Sequence, residues 1–261
     1  MSLQIECHPT AVVQEGAELG VGVKLGPYAI VHPTARIGDG SDIGAFAVVH
    51  DHTCLGRETR VFPHACVGSE PQDLKFDGEL SFLDCGERNT FREFVTVNRG
   101  TEGGGGVTRI GSDNMFMAYV HIAHDCQIGD HTIFGNSATL AGHVEIGDYT
   151  ILNAFAGVQQ FARVGEHAYL SAFAGITKDI VPFARANGNH AHILGLNSVG
   201  LQRRAFNSDT RRALKTAFRV LFREKLNTTQ ALAKISSMEL GGPEIDRLVS
   251  FVESSELGIT K

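Results

Sequence analysis

A six-residue recurrence of large apolar side chains restricts what this chain can fold into more than any other feature. Counting from Ile110, the positions Phe116, Ile122, Ile128, Phe134, Leu140, Ile146, Leu152, Val158, Val164, Leu170 and Ile176 all conform. With 43% apolar residues overall, twelve successive hits would arise by chance only about four times in a hundred thousand. The residue four places further on is mostly small, as at Cys126, Thr132, Ala138, Val144, Thr150, Ala156, Ala162, Ala168 and Ala174. An α-helix would place its apolar stripe about every 3.6 residues, and the recurring Gly111, Gly129, Gly135, Gly147 and Gly165 would weaken one. Short strands joined by tight corners fit instead.

The same step runs from Cys7 through Val13, Leu19, Leu25, Val31, Ile37, Ile43, Val49, Leu55, Val61 and Val67, and resumes at Cys85, Phe91 and Val97. A strand this short cannot bury its inward side chain alone, so the chain must coil and stack each rung on the last. Three hexads per coil place residues eighteen apart one above another. With coils about 4.8 Å apart, the expected prism is roughly 40 Å tall. The pattern resembles the hexapeptide repeat of left-handed parallel β-helix acyltransferases, and that resemblance implies the three-sided shape and the hand, an exception to the right-handed crossover rule. The expected chain is mainly β: a left-handed parallel β-helix over residues 1–190, followed by a C-terminal α-helical domain over residues 191–261.

Two interruptions are expected as external loops, near 69–82 and 102–109. The first, from Ser69 to Glu79, is polar, contains Pro71 and has no period. The second holds Gly103, Gly104, Gly105 and Gly106. It lacks the Lys-Ser/Thr and helical run of a phosphate cradle, so it reads as a flexible loop. From about Asn207 the period changes: Ala213, Leu214, Ala217, Phe218, Leu221 and Phe222 recur at three and four, a helix. Asn227 to Gln230 reads as a capping box opening a second helix through Ile235, and Pro243 as the start of a third through Val252.

Composition narrows the partners. No run of about 18 apolar residues is present, which predicts no membrane span, and the first residues lack the basic and apolar parts of a signal peptide. Five cysteines without paired or metal-type spacing suit reduced thiols in the cytoplasm. Cys7, Cys85 and Cys126 occupy inward slots and read as buried filler. The net charge of −6 conceals a basic segment over 201–225, where Arg203, Arg204, Arg211, Arg212, Lys215, Arg219, Arg223 and Lys225 face only Asp209 and Glu224. It is either a solvated helix face or a dock for an acidic partner. Nucleic acid is disfavoured, because the chain is acidic overall and the basic segment lacks interleaved aromatics.

The stacking rule sets His124 under Gly142 and Gln160, and Asp125 under His143 and Phe161. His8, His32, His50, His52, His64, His131 and His167 read as solvated corner residues. His121, His124 and His143 could be zinc ligands. Alternatively, one histidine acts as a general base oriented by the adjoining carboxylate, with a glycine N–H above it for the oxyanion of an attacked thioester. That would be acyl transfer without a covalent acyl-enzyme.

Several stretches, spread over nearly the whole chain, narrow the resemblance. They are Gln72-Asp73-Leu74-Lys75, Arg99-Gly100-Thr101, His121-Ile122-Ala123-His124-Asp125-Cys126, Ala138 to Val144, Gln160-Phe161, Gly188 to Ala191 and Gly200 to Arg204. Together they resemble the acyl-carrier-protein-dependent UDP-N-acetylglucosamine O-acyltransferases that begin lipid A synthesis. The resemblance implies a homotrimer with sites in clefts between prisms, and no metal or other cofactor. The 3-hydroxyacyl donor would arrive on the 4'-phosphopantetheine of acyl carrier protein, docked on the basic 201–225 segment. It implies His124 as the base toward the glucosamine 3-hydroxyl, Asp125 as its support and Gly142 N–H at the oxyanion. Asp73, His121, His143 and Gln160 would meet the sugar, with Gln72 and Lys75 near sugar and phosphates. Asn197, Arg203 and Arg204 would hold the nucleotide or pantetheine end, His190 would also bind substrate, and Ala172 would end the acyl groove, admitting a medium to long chain. Three positions depart from the family pattern: Gln159 and Asn98 where histidine is usual, and Val199 where an acidic residue is frequent. They leave open a 3-amino in place of a 3-hydroxyl acceptor, and a zinc hydratase on the same fold is a further alternative.

Overall fold

The computed structural model describes residues 5–261. Each hexad of the apolar step is a strand of two to four residues, from Glu6–Cys7 to Gly175–Ile176. These strands stack in parallel into sheets of nine, nine and eight, the three faces of a left-handed β-helix, and two later strands bring the first sheet to eleven. His121 pairs with Thr139 and Thr139 with Gly157, each eighteen residues further along.

Inside, the large residues form columns. Phe91, Phe116 and Phe134 are fully buried, with neighbouring ring centroids 5.0 Å apart. The small slots, among them Ala138, Ala156 and Ala174, are also buried, because a corner turning inward leaves room for little beyond a methyl group.

The corners carry a second regularity. Three residues after a large apolar position the backbone enters the left-handed region, as at Asp125 (φ 61), His143 (φ 60) and Phe161 (φ 65). Side chains other than glycine, asparagine, aspartate and histidine seldom adopt it. Many of these corners nevertheless hold aromatic rings, which stack on the rung above. Tyr28, Phe46, His64, Phe94 and Tyr119 form one such column with centroids 5.0 to 5.1 Å apart. Stacking worth about 0.5–1.5 kcal/mol per pair offsets a left-handed cost of about 1–2 kcal/mol.

The first loop departs between the strands Cys66–Ser69 and Phe82–Cys85. The second is shorter than its expected 102–109 span. A single 3-10 turn, Glu102–Gly104, leads into the strand Val107–Ile110, which pairs with Phe82–Cys85.

The upper end is closed. An antiparallel hairpin, Ala184–Asn187 with His192–Leu196, extends the eleven-stranded sheet. Bridges Val164–Ile180 and Gly175–Asn189 cover the last strands of the other two. Four helices follow: α1 (Ser198–Arg203), α2 (Ser208–Arg223), α3 (Thr228–Ser237) and α4 (Pro243–Glu253). Asn207 caps α2, the capping box of Asn227 and Gln230 opens α3, and Pro243 begins α4. The chain then returns to the prism, where Thr260 N–H donates to Asp179 O at 2.8 Å. Arg163 ties α4 down through Phe251 O and Ser254 Oγ, each at 3.2 Å. At the lower end the first described rung has a neighbour only above it, and Val12 and Val13 are exposed.

Two expectations are corrected. Cys7 is exposed rather than buried, because its coil has no described rung beneath, whereas Cys85 and Cys126 are buried. Burial pushes the Cys126 thiol up to about 12. His167 is buried rather than solvated, since the helical domain covers its corner. Among the described residues no helix is long and apolar enough to cross a membrane.

Phe116→Ala would remove the middle ring of the aromatic column, at an expected cost of about 3–5 kcal/mol. Chemical denaturation should show a lower midpoint, and an unchanged midpoint would mean that the inner columns do not hold the prism together.

Candidate active site

His121 stands on a strand of the nine-stranded sheet, and His124 and Asp125 occupy the corner that follows. The left-handed conformation of Asp125 brings its carboxylate beside His124, with Nδ1 to Oδ2 at 2.7 Å. Asp125 is buried, and a carboxylate only accepts, so Nδ1 of His124 is the donor of this bond, and in the neutral ring the lone pair falls to Nε2. Gly142 lies directly above. A Cβ built there would stand 2.6 Å from His124 Cε1 and 2.8 Å from Nε2, so only glycine lets the ring occupy this position. The Gly142 N–H donates to no backbone carbonyl of the described chain.

These groups open into a cavity of about 520 Å³ lined by Gln72, His121, His124, Gly142, Gln159 and Gln160, among others. Above His121, the outward slots of the sheet shrink to Thr139, Gly157 and Gly175, leaving an open shelf. Thr96 Oγ1 meets His121 Nδ1 at 2.8 Å. Burial, and then the neighbouring His124, push the His121 pKa down, which disfavours its charged form.

Asp125 and His143 face the other side of the same corner, a second cavity of about 630 Å³. His143 stacks on Phe161 at 4.5 Å and meets His124 edge-on. Its Nε2 lies 3.7 Å from Asp125 Oδ2. Burial pulls its pKa down, opposed by Asp125, while His124 lowers it further and the charges of Asp73 and Lys75 act with opposite signs.

His124, Asp125 and His143 are the one group among the described residues whose ligand atoms could share a metal ion. The carboxylate is already engaged, however. Oδ1 accepts from Thr101 N–H at 2.8 Å, while Oδ2 accepts from Thr101 Oγ1 at 2.6 Å as well as from His124. A metal would have to displace those hydrogen bonds, so the donor set suits an oriented imidazole better than a zinc site.

The remaining candidates lie elsewhere on the chain. Asn197, Arg203 and Arg204 line a cavity of about 770 Å³ between α1 and the eleven-stranded sheet. Arg204 lies over the Tyr149 ring at 4.2 Å, and burial lowers its pKa. Val199 lines the same cavity. Ala172 is exposed at a corner beside the stacked Phe155 and Phe173, and His190 is exposed in the tip of the hairpin. Within one chain neither reaches the His124 cavity. Asn98 is buried, donating to Ser69 Oγ at 2.9 Å and Glu70 O at 2.7 Å at the root of the first loop. Sequence reasoning overlooked Thr96 and the grip of Thr101 on Asp125, although Thr101 lies within a stretch it singled out.

Comparison with known proteins gives concordant results. Residues 179–260 match the family described as Udp N-acetylglucosamine O-acyltransferase, Domain 2, and residues 108–142 match bacterial transferase hexapeptide (six repeats). The chain is 41% identical over 256 residues to the acyl-[acyl-carrier-protein]–UDP-N-acetylglucosamine O-acyltransferase of Thermodesulfovibrio yellowstonii, covering 98% of this chain and 99% of that one. It is 46% identical over 255 residues to the protein of that name from Anaeromyxobacter sp. (strain Fw109-5), covering 97% and 99%. Among solved structures, LpxA from Acinetobacter baumannii superposes with a TM-score of 0.95 at 36% identity, covering 98% of this chain and 99% of that one.

The covered corner makes a stability prediction. His167 stacks on Tyr149 at 4.8 Å and meets Phe206 edge-on, and desolvation, aided by Arg204 and Arg247, lowers its pKa from 6.5 to about 4. The unfolded chain therefore binds this proton more readily than the folded one. The stabilisation is complete above pH 6.5 and is lost as pH falls toward about 4. His167→Phe should flatten the dependence of Tm on pH across that window, and an unchanged slope would assign the acid sensitivity to other groups.

Proposed function

The chain belongs to the UDP-N-acetylglucosamine O-acyltransferase family, and from that premise we propose that it moves an acyl group from acyl carrier protein to UDP-N-acetylglucosamine, with His124 as general base. It is an acyltransferase, and the product would enter lipid A synthesis. The observation that carries the mechanistic reading is the placement of His124 Nε2 beneath Gly142, with Nδ1 held by Asp125. In this reading Nε2 takes the proton from the glucosamine 3-hydroxyl as that oxygen attacks the thioester carbon. The Gly142 N–H donates to the resulting oxyanion. The intermediate then collapses, the C–S bond breaks, and the pantetheine thiolate takes up the proton. Asp125 holds the ring in its working tautomer and stabilises the imidazolium.

The remaining roles follow the same logic. Gln72, His121 and Gln160 share the His124 cavity and would orient the sugar, with His143 on the other side of the corner and Asp73 and Lys75 near enough for their charges to act on it. The arginines at α1 suit phosphate, with Asn197 beside them. These cavities, His190 and Ala172 do not converge within one chain, which supports a cleft completed by neighbouring copies in a homotrimer. The basic residues of 201–225 would receive the acidic carrier protein in the cytoplasm.

His124→Ala should abolish turnover while the oligomer and its circular dichroism stay intact; full activity would remove the base. Mass spectrometry of products formed from UDP-N-acetylglucosamine and its 3-amino analogue distinguishes the two acceptors, the choice to which Gln159 on the cavity wall is relevant. Chain length is read separately. Ala172→Met should shift preference among 3-hydroxyacyl donors toward shorter chains, and the same ranking in both proteins would rule out Ala172 as the gate.

A further inference from the structure

The four-glycine run folds back beside the catalytic corner, with Gly104 against Asp125 and with Gly103 and Gly105 exposed. Thr101 has extended backbone (φ −123, ψ 156) and caps the turn Glu102–Gly104, its hydroxyl oxygen accepting from Gly104 N–H at 3.2 Å. Gly105 and Gly106 take left-handed φ values of 90 and 80, which folds the chain back so that Gly106 N–H donates to Thr101 O at 2.7 Å. Left-handed geometry at two successive residues calls for glycine. Gly104 is glycine for another reason: a Cβ there would overlap the carboxyl group of Asp125. Gly103, one residue earlier, has open space around it.

The turn presents Thr101 to Asp125 twice, through its backbone N–H to Oδ1 and its hydroxyl to Oδ2. Thr108 holds the aspartate from behind, its Oγ1 accepting from Asp125 N–H at 2.7 Å. The carboxylate has two imidazoles within reach, His124 Nδ1 at 2.7 Å and His143 Nε2 at 3.7 Å. An unrestrained carboxylate rotates readily about its last torsion and would divide its oxygens between the two rings. With both oxygens held by Thr101, Oδ2 stands at hydrogen-bond distance from His124 Nδ1, 2.7 Å, and beyond that distance from His143 Nε2, 3.7 Å.

We propose that Thr101 and the glycine turn are a positioning device for the catalytic pair, fixing the Asp125 carboxylate on His124 in preference to His143. The inference rests on His124 being the general base and adds the residues that decide which imidazole the carboxylate serves. Thr101 touches no substrate in this account and acts only through Asp125.

The test compares Thr101→Val, Thr101→Ser, Gly104→Ala and Gly103→Ala in the full chain, with His124→Ala as reference. Removing the hydroxyl in Thr101→Val should lower kcat by about 10- to 100-fold, a part of what a positioned base contributes, with KM for the UDP-sugar within about twofold. Thr101→Ser, which keeps the donor, should restore kcat. The downfield N–H proton of His124, identified by its loss in His124→Ala, should persist in Thr101→Ser and be lost or displaced in Thr101→Val. A merely structural turn would lower stability without moving that resonance. If Thr101→Val does not fold, the glycine pair decides: Gly104→Ala should lose kcat while Gly103→Ala retains it, and equal effects overturn the proposal. So do normal kcat and an unmoved resonance in Thr101→Val. An active His124→Ala would instead overturn the reading of His124 as base, so the two failures are distinguishable.

Discussion

Everything in this molecule depends on the hydrogen-bond ladder between coils. A rung two residues long has almost no stability of its own, and only pairing with the rungs above and below turns a hexad into structure. The ladder also fixes address. Because Thr139 pairs with His121, the corner at Gly142 must fall above the corner at His124, and no loop adjustment can separate them. The close approach of that glycine to the imidazole is therefore a property of the scaffold, which is the rigidity a positioned base requires.

The second determinant is the use of the corners. Each turn forces one residue into a left-handed conformation, and at Asp125 that cost is put to use, since it brings a buried carboxylate beside the preceding side chain. Elsewhere aromatic rings stacked along an edge offset the same cost. One geometric necessity thus yields a stabilising column at one position and an oriented carboxylate at another. The threonine of the glycine turn beside Asp125 then donates to both of its oxygens, so the buried carboxylate is held by hydrogen bonds from several directions.

Much of this was legible in the chain because the physics is periodic. The step from Ile110 to Ile176 identified the strands, and the eighteen-residue coil put His124 under Gly142. The pair Asn227 and Gln230 marked the start of α3, because a capping box is a local signal. What was not legible was mostly long-range or aperiodic. Gly103 to Gly106 read as a flexible loop because nothing local reveals that Asp125 lies alongside. Six residues of α1 are too few to show a stripe. His167 read as solvated because its cover comes from Phe206, almost forty residues later. The aromatic corners, although periodic, went unrecognised because a left-handed tyrosine or phenylalanine contradicts single-residue preference, and only stacking explains it.

The closed upper end also governs how copies of this chain can meet. A stack of paired strands is a template for its own extension, and an uncapped coil could in principle polymerise end to end without limit. Here the hairpin and helices terminate the stack at its upper end. A capped end offers no free strand edges to the next copy, so a head-to-tail filament of stacked coils is closed off, and the prism's flanks are left as the surfaces through which several copies can meet.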